Sequence, residues 1–132
     1  GEVKDEDDED NETTDEVYSP IIKECLGDLV EDVKASKNLI DSPVRLVAGE
    51  GGLDFNLERI LKAQNPEFEG SKKVLEINLT HELIKKLPAL SFETQKSMSR
   101  VLFEQARILD GEMPSNSLQF SKDLITLGLK VV

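Results

Sequence analysis

Residues 116–132 read NSLQFSKDLITLGLKVV, and the apolar pattern of this stretch predicts the architecture of the C-terminal part of the chain. Asn116 suits the N-cap position, so we expect a helix that continues to about Lys130. On a helical wheel, one apolar stripe is formed by Phe120, Leu124, Leu127 and Val131. A second stripe, about 140° away around the helix axis, is formed by Leu118, Ile125, Leu129 and Val132.

The two apolar stripes predict that this helix is covered on two sides. A surface helix of a small domain usually needs one stripe, because it has one core to face. Few further elements are predicted that could cover the second stripe, so a second copy of the chain is the economical partner. We therefore expect the last two helices of each protomer to form a four-helix bundle about a two-fold axis. Two alternatives stay open: one chain covers both stripes, or Gly128 ends the helix early.

The preceding helix is predicted from about Phe92 to Asp110, where Asp110-Gly111 is a strong C-terminal signal. Its broad apolar face excludes Phe103, which falls nearly opposite, and consists of Met98, Val101, Leu102, Gln105, Ala106 and Leu109. Across both helices, the predicted dimer interface comprises Met98, Val101, Leu102, Gln105, Ala106, Leu109, Phe120, Leu124, Ile125 and Leu127.

Nearer the N-terminus, apolar and polar residues alternate in the way that is typical of strands. The strand candidates are Val33 to Leu39, Val44 to Ala48, and Val74 to Leu79, the last with Leu75, Ile77 and Leu79 on one face. Helices are expected after Pro20, from Asp54 to about Gln64, and around Leu83 to Leu87, the last capped by Asn78 or Thr80. The predicted fold class is α+β: a small sheet of about three strands packed with helices, and a C-terminal helical hairpin that dimerises.

The charge is unevenly distributed along the chain. The formal net charge is −11, but residues 1–16 contain ten acids against the single base Lys4, and the remaining residues are nearly neutral. So dense a like-charge block predicts a disordered acidic linker at 1–16, with residues 17–132 as the folded domain. Binding of a basic partner or of divalent ions is the alternative for this segment. Neither part offers the clustered lysines and arginines that nucleic-acid binding needs.

The sequence offers no catalytic or metal-binding constellation. His81 is the only histidine and Cys25 the only cysteine, so we predict no catalytic residue and no metal site. A Cys25–His81 nucleophile pair is conceivable, but Cys25 follows an apolar helical pattern that favours a buried structural thiol, and His81 is expected to be structural. No apolar run of 18 residues predicts a membrane span, and no signal peptide is recognised. Because the chain begins at Gly1 in a charge run, we expect a fragment of a larger protein.

Several blocks of sequence, in this order and spacing, are similar to a known family. They are DSPV at 41–44, NLERILKA at 56–63, LEIN at 75–78 followed by His81, LIKKL at 83–87, LFEQA at 102–106 and GEMP at 111–114. Over about residues 17–130 the chain resembles the C-terminal domain of the 90-kDa heat-shock chaperone family, in its bacterial form (high-temperature protein G). Leu79 and Ser117 stand where the family commonly has proline. The chain also lacks the acidic tail by which cytosolic eukaryotic members hold co-chaperones, which favours a bacterial or organellar form.

The resemblance implies a constitutive homodimerisation domain of an ATP-dependent chaperone, which acts in protein folding and the stress response. ATP and magnesium belong to an N-terminal domain of the parent protein, so this segment is expected to need no cofactor and to have no ATPase activity. The implied location is the bacterial cytoplasm, with an organellar matrix as the lesser alternative.

The resemblance also implies a site for partly unfolded client proteins on the helix Leu53–Gln64. Its apolar stripe is Leu53, Leu57, Ile60 and Leu61, on the side away from Phe55. From the residues alone this stripe could equally face the core. The expected partners are a second copy of the chain and client proteins, without nucleic acid or membrane. The alternative function is a monomeric adaptor that recruits a basic partner through the acidic residues 1–16.

Overall fold

A computed structural model describes residues 17–37, 39, 41–49, 55–65 and 72–132 of the chain. Three of the sequence predictions fall outside these residues: the disordered acidic linker at 1–16, the start of a helix at Asp54, and the place of Leu53 in the stripe of that helix.

The structure confirms an α+β fold. The described part of α1 covers residues 17–26 and leads into a 3-10 turn, Gly27–Leu29. The other helices are α2 (Phe55–Gln64), α3 (Glu82–Lys86, continued by the 3-10 turn Leu87–Ala89), α4 (Phe92–Leu109) and α5 (Ser117–Leu129). The strands are β1 (Asp32–Ala35), β2 (Val44–Ala48) and β3 (Lys73–Ile77). Most of these elements lie close to where the hydropathy pattern predicts them, but α1 already includes residues 17–19, ahead of the predicted start at Pro20, and β1 ends at Ala35, short of the predicted Leu39.

The three strands form one mixed sheet in the order β1-β3-β2. Strand β3 is central, pairing in parallel with β1 and antiparallel with β2. Leu75 is opposite Val33 on one side and Leu46 on the other, and all three side chains are buried. Val74, predicted on the opposite face from Leu75, is buried as well, so β3 is covered on both faces. Burial on both faces is usual for a central strand with a parallel neighbour.

The core joins α1, the sheet, α3 and α4. Its buried apolar side chains include Ile22 and Leu26 of α1, Ile84 of α3, and Leu102, Phe103 and Ala106 of α4. The burial of Phe103 corrects the wheel, which placed it opposite the apolar face of this helix. Because α4 contacts both β2 and α5, it is covered on more than one side, and a single apolar face does not describe it.

The segment after β3 is held by hydrogen bonds from Asn78. Its side-chain amide donates to the Ser42 carbonyl at 3.2 Å, and its Oδ1 accepts from the Thr80 amide at 3.0 Å. The predicted helix cap is wrong, because His81 caps α3: Nδ1 of His81 accepts from the Leu83 amide at 3.1 Å. The structural role expected for His81 is confirmed by this contact.

Asn78→Ala is expected to lower the free energy of unfolding by about 2 kcal/mol, because it leaves polar groups at a buried site without their partner. Urea denaturation measures this loss. His81→Ala is the control, since loss of a half-exposed cap costs about 1 kcal/mol or less. An Asn78 variant no less stable than the His81 variant would contradict this role.

Candidate interaction surfaces

An ion pair between a half-buried arginine and a buried aspartate joins α4 and α5 in a helical hairpin. Arg100 donates from Nε and Nη2 to the two carboxylate oxygens of Asp123, each at 2.8 Å. The Asp123 side chain is 2% exposed, and Gln119 also donates to it at 3.0 Å. Burial alone raises the pKa of Asp123, but the hydrogen bonds from Arg100 and Gln119 outweigh it and hold this pKa below its ordinary value. The pair therefore remains charged at neutral pH and fixes which side of α5 faces α4.

A second polar contact fixes the start of α5. The buried carboxylate of Glu104 accepts from Ser115 Oγ at 2.9 Å and from the Asn116 amide at 3.1 Å. The side chain of Asn116 then caps α5, as predicted, by accepting from the Gln119 amide. These contacts place polar groups of α5 towards α4, so the opposite side of α5 faces away from the chain.

That opposite side is apolar and exposed. Leu118, Ile125 and Leu129 of the second predicted stripe are 67%, 61% and 67% exposed, and Leu124 of the first stripe is exposed too. We call these four residues the outer face of α5. Within the described residues, the chain does not cover both stripes, and the helix continues through Gly128 to Leu129. An exposed apolar face of this kind is typical of an interaction surface.

The ten residues of the predicted dimer interface do not share one surface. Leu102 and Ala106 belong to the core of their own chain, so almost none of their surface is left for a second copy. Leu109, Leu124 and Ile125 are exposed, and the half-buried members are Met98, Val101, Gln105, Phe120 and Leu127. The predicted set does not include Leu118 and Leu129, although both belong to the second stripe and are exposed.

Helix α2 also has its apolar side exposed. Leu57 and Ile60 are 44% and 53% exposed, and Leu61 is half-buried. Arg59, on the other side of α2, donates from Nη2 to the Asp110 carbonyl at 3.1 Å. Lys62 lies on that side too and is 3.3 Å from Oε2 of Glu112. The polar side of α2 thus contacts the turn after α4, while Leu57 and Ile60 face away from it.

Cys25 and His81 are the remaining candidate residues. The Cys25 thiol is half-buried and not fully buried as predicted, and burial raises its pKa, which makes it a poor nucleophile. His81 Nδ1 is engaged by the amide of Leu83. No cluster of three or more potential metal ligands occurs among the described residues. None of the described helices is both long and apolar enough to cross a membrane.

Comparison of the sequence with known proteins identifies one chaperone family. The sequence profile of a family described as "Hsp90 protein" matches residues 1–131. The "Chaperone protein HtpG" of Nitrobacter winogradskyi is 46% identical over 113 residues, covering 83% of this chain and 18% of that protein. The protein of the same name from Chromobacterium violaceum is 37% identical over 136 residues, covering 99% of this chain and 22% of the relative. The chain therefore spans about a fifth of the length of these relatives.

Proposed function

Because the chain belongs to the Hsp90 protein family, we propose that residues 17–132 are its C-terminal homodimerisation domain and that α2 offers an apolar surface to unfolded client proteins. The outer face of α5 is the observation that carries this proposal. The role is mechanical rather than chemical, since it needs neither a catalytic residue nor a cofactor within these residues. In this proposal, ATP and magnesium bind to another part of the parent chaperone, which also hydrolyses the ATP. The parent chaperone acts in the bacterial cytoplasm.

The outer face of α5 supports association with a second copy of the chain. Large apolar side chains in contact with water gain free energy when they are buried, in proportion to the area covered. In a two-fold dimer the same face is contributed by both protomers, so one surface supplies both halves of the contact. Ile108 and Leu109 of α4 are also exposed, so both helices of the hairpin have apolar surface for the proposed four-helix bundle.

Dimerisation would act by linking two protomers of the parent chaperone, each of which is one arm of the dimer. Once two protomers are joined, the second arm meets a bound client at an effective concentration set by geometry and no longer by diffusion. A client that contacts both arms is then held more tightly than by either arm alone.

The exposed stripe of α2 supports the client surface. Apolar contact is non-directional, so Leu57, Ile60 and Leu61 would accept many unfolded sequences without selecting one. In an ordinary surface helix this stripe would face the core, with the charged side in water. The reverse orientation of α2 leaves apolar side chains available to a partner.

The double variant Leu57→Ser, Ile60→Ser is expected to bind an unfolded protein about tenfold more weakly than the original chain, because two half-exposed apolar contacts are lost. The probe is a reduced and alkylated protein that cannot refold, and binding is measured by fluorescence anisotropy. Ala63→Ser is the matched control, since Ala63 is an exposed residue of the same helix outside the stripe. Equal affinity of the double variant and the control would contradict the client surface.

A further inference from the structure

Two charged side chains of α2 contact partners that are distant from them in sequence. Arg59 and Lys62 lie on one side of the helix, and they contact Asp110 and Glu112, which are 51 and 50 residues further along the chain. At about 100° per residue, Leu57 and Ile60 fall on the opposite side of α2. The polar contacts and the exposed stripe are therefore two consequences of one orientation.

The turn at residues 110–113, which Arg59 and Lys62 contact, is fixed to α4 by hydrogen bonds. Gly111 has a φ of 85°, a left-handed conformation that ends the helix and that glycine adopts without strain. The Glu112 amide donates to the Arg107 carbonyl at 2.9 Å, and Arg107 Nε donates to the Met113 carbonyl at 3.1 Å. The acidic turn thus moves with α4 and offers α2 a fixed attachment point.

The turn is acidic where α2 is basic. Arg59 donates to the backbone carbonyl of Asp110, whereas burial and the Glu112 carboxylate raise the pKa of the Asp110 carboxyl group, an effect that the nearby cations Lys73 and Arg59 partly offset. The pair of Lys62 and Glu112 is partly shielded, with side chains 34% and 30% exposed, so solvent weakens it less than a fully exposed pair. The attraction between Lys62 and Glu112, together with the hydrogen bond from Arg59, favours the polar side of α2 against this turn.

From this geometry we infer that Arg59, bound to the Asp110 carbonyl, and Lys62, paired with the Glu112 carboxylate, form a polar latch that holds α2 with its apolar stripe outwards. The hydrophobic effect alone would turn Leu57 and Ile60 towards the protein. The latch opposes this rotation, and it connects α2 to the α4–α5 hairpin that is proposed to dimerise. Its importance for clients rests on the proposed function, but its effect on α2 does not.

Charge reversal tests the latch directly. In Lys62→Glu and in Glu112→Lys, repulsion replaces attraction, so we expect amide hydrogens of α2 to exchange about three to ten times faster than in the original chain. The double variant Lys62→Glu, Glu112→Lys restores opposite charges in swapped positions, and its exchange rates are expected within about twofold of the original. Hydrogen exchange read by mass spectrometry on peptides covering α2 measures all three variants.

Lys96→Glu is the control, because Lys96 pairs with Glu93 within α4, 3.5 Å away and with no part in the α2 contacts. Unchanged α2 exchange in both single reversals would overturn the latch, as would a double variant that exchanges as fast as the singles. A different result would contradict the proposed client site alone. In that case the Leu57→Ser, Ile60→Ser variant would bind unfolded protein as tightly as the original chain, while the charge variants would show the expected exchange rates.

Discussion

Leu124→Asp is expected to convert a dimer into a monomer, with a dissociation constant raised about a thousandfold or more. Leu124 lies on the outer face of α5, and a two-fold interface contains each substituted residue twice. Burying two carboxylates in an apolar contact costs several kcal/mol per dimer, and about 4 kcal/mol already corresponds to a thousandfold change. Sedimentation equilibrium measures the dissociation constants of the original chain and the variant.

Leu83→Asp is the matched control for this prediction. Leu83 is also an exposed leucine on a helix, but it belongs to α3 and lies outside the proposed interface. The same substitution there is expected to leave the dissociation constant within about threefold of the original, since it adds charge without touching the interface. A Leu124 variant that associates as strongly as the Leu83 variant would exclude the outer face of α5 from the interface.

Asp123→Ala is expected to have the largest effect on the stability of the single chain, about 2 to 4 kcal/mol. The substitution leaves the guanidinium group of Arg100, which is 27% exposed, without its two hydrogen bonds. Urea denaturation at neutral pH measures the loss. Asp123→Asn keeps one acceptor oxygen for Arg100 and is expected to cost less. An Ala variant no less stable than the Asn variant would contradict a role for this hydrogen bond in stability.

The contribution of Asp123 to the free energy of unfolding decreases at acidic pH, because Arg100 and Gln119 lower the pKa of Asp123 in the folded chain. Because its pKa is lower in the folded chain than in the unfolded chain, its contribution is complete above the unfolded value of about 3.9 and is lost as the pH falls through the folded value. The difference in stability between the original chain and Asp123→Ala is therefore expected to shrink below about pH 4. A difference that stays constant from pH 7 to pH 3 would contradict the charged state of the pair.

Local signals in the sequence located the elements of this fold well. The alternation around Leu75 and Ile77 predicted β3, Asn116 predicted the cap of α5, and Asp110-Gly111 predicted the end of α4. These features depend on residues only a few positions apart, because backbone hydrogen bonds in caps and turns are local. The second stripe of α5 likewise predicted apolar surface, and the described part of the chain leaves that surface exposed.

Contacts between distant residues explain what the sequence did not reveal. A helical wheel gives the side on which Leu102 or Phe103 lies, but not that the core covers both of these consecutive residues of α4. Asn78 and Thr80 are more usual N-cap residues than the His81 that caps α3 in the folded chain. The outward orientation of the α2 stripe depends on Asp110 and Glu112, which no pattern within α2 can indicate.

The mass of the original chain in solution tests the central claim most directly. Light scattering over a dilution series is expected to give a mass near twice 14.7 kDa at high concentration, falling towards 14.7 kDa on dilution. A mass of 14.7 kDa at the highest concentration reached would contradict the homodimerisation domain. The outer face of α5 would then need a different partner.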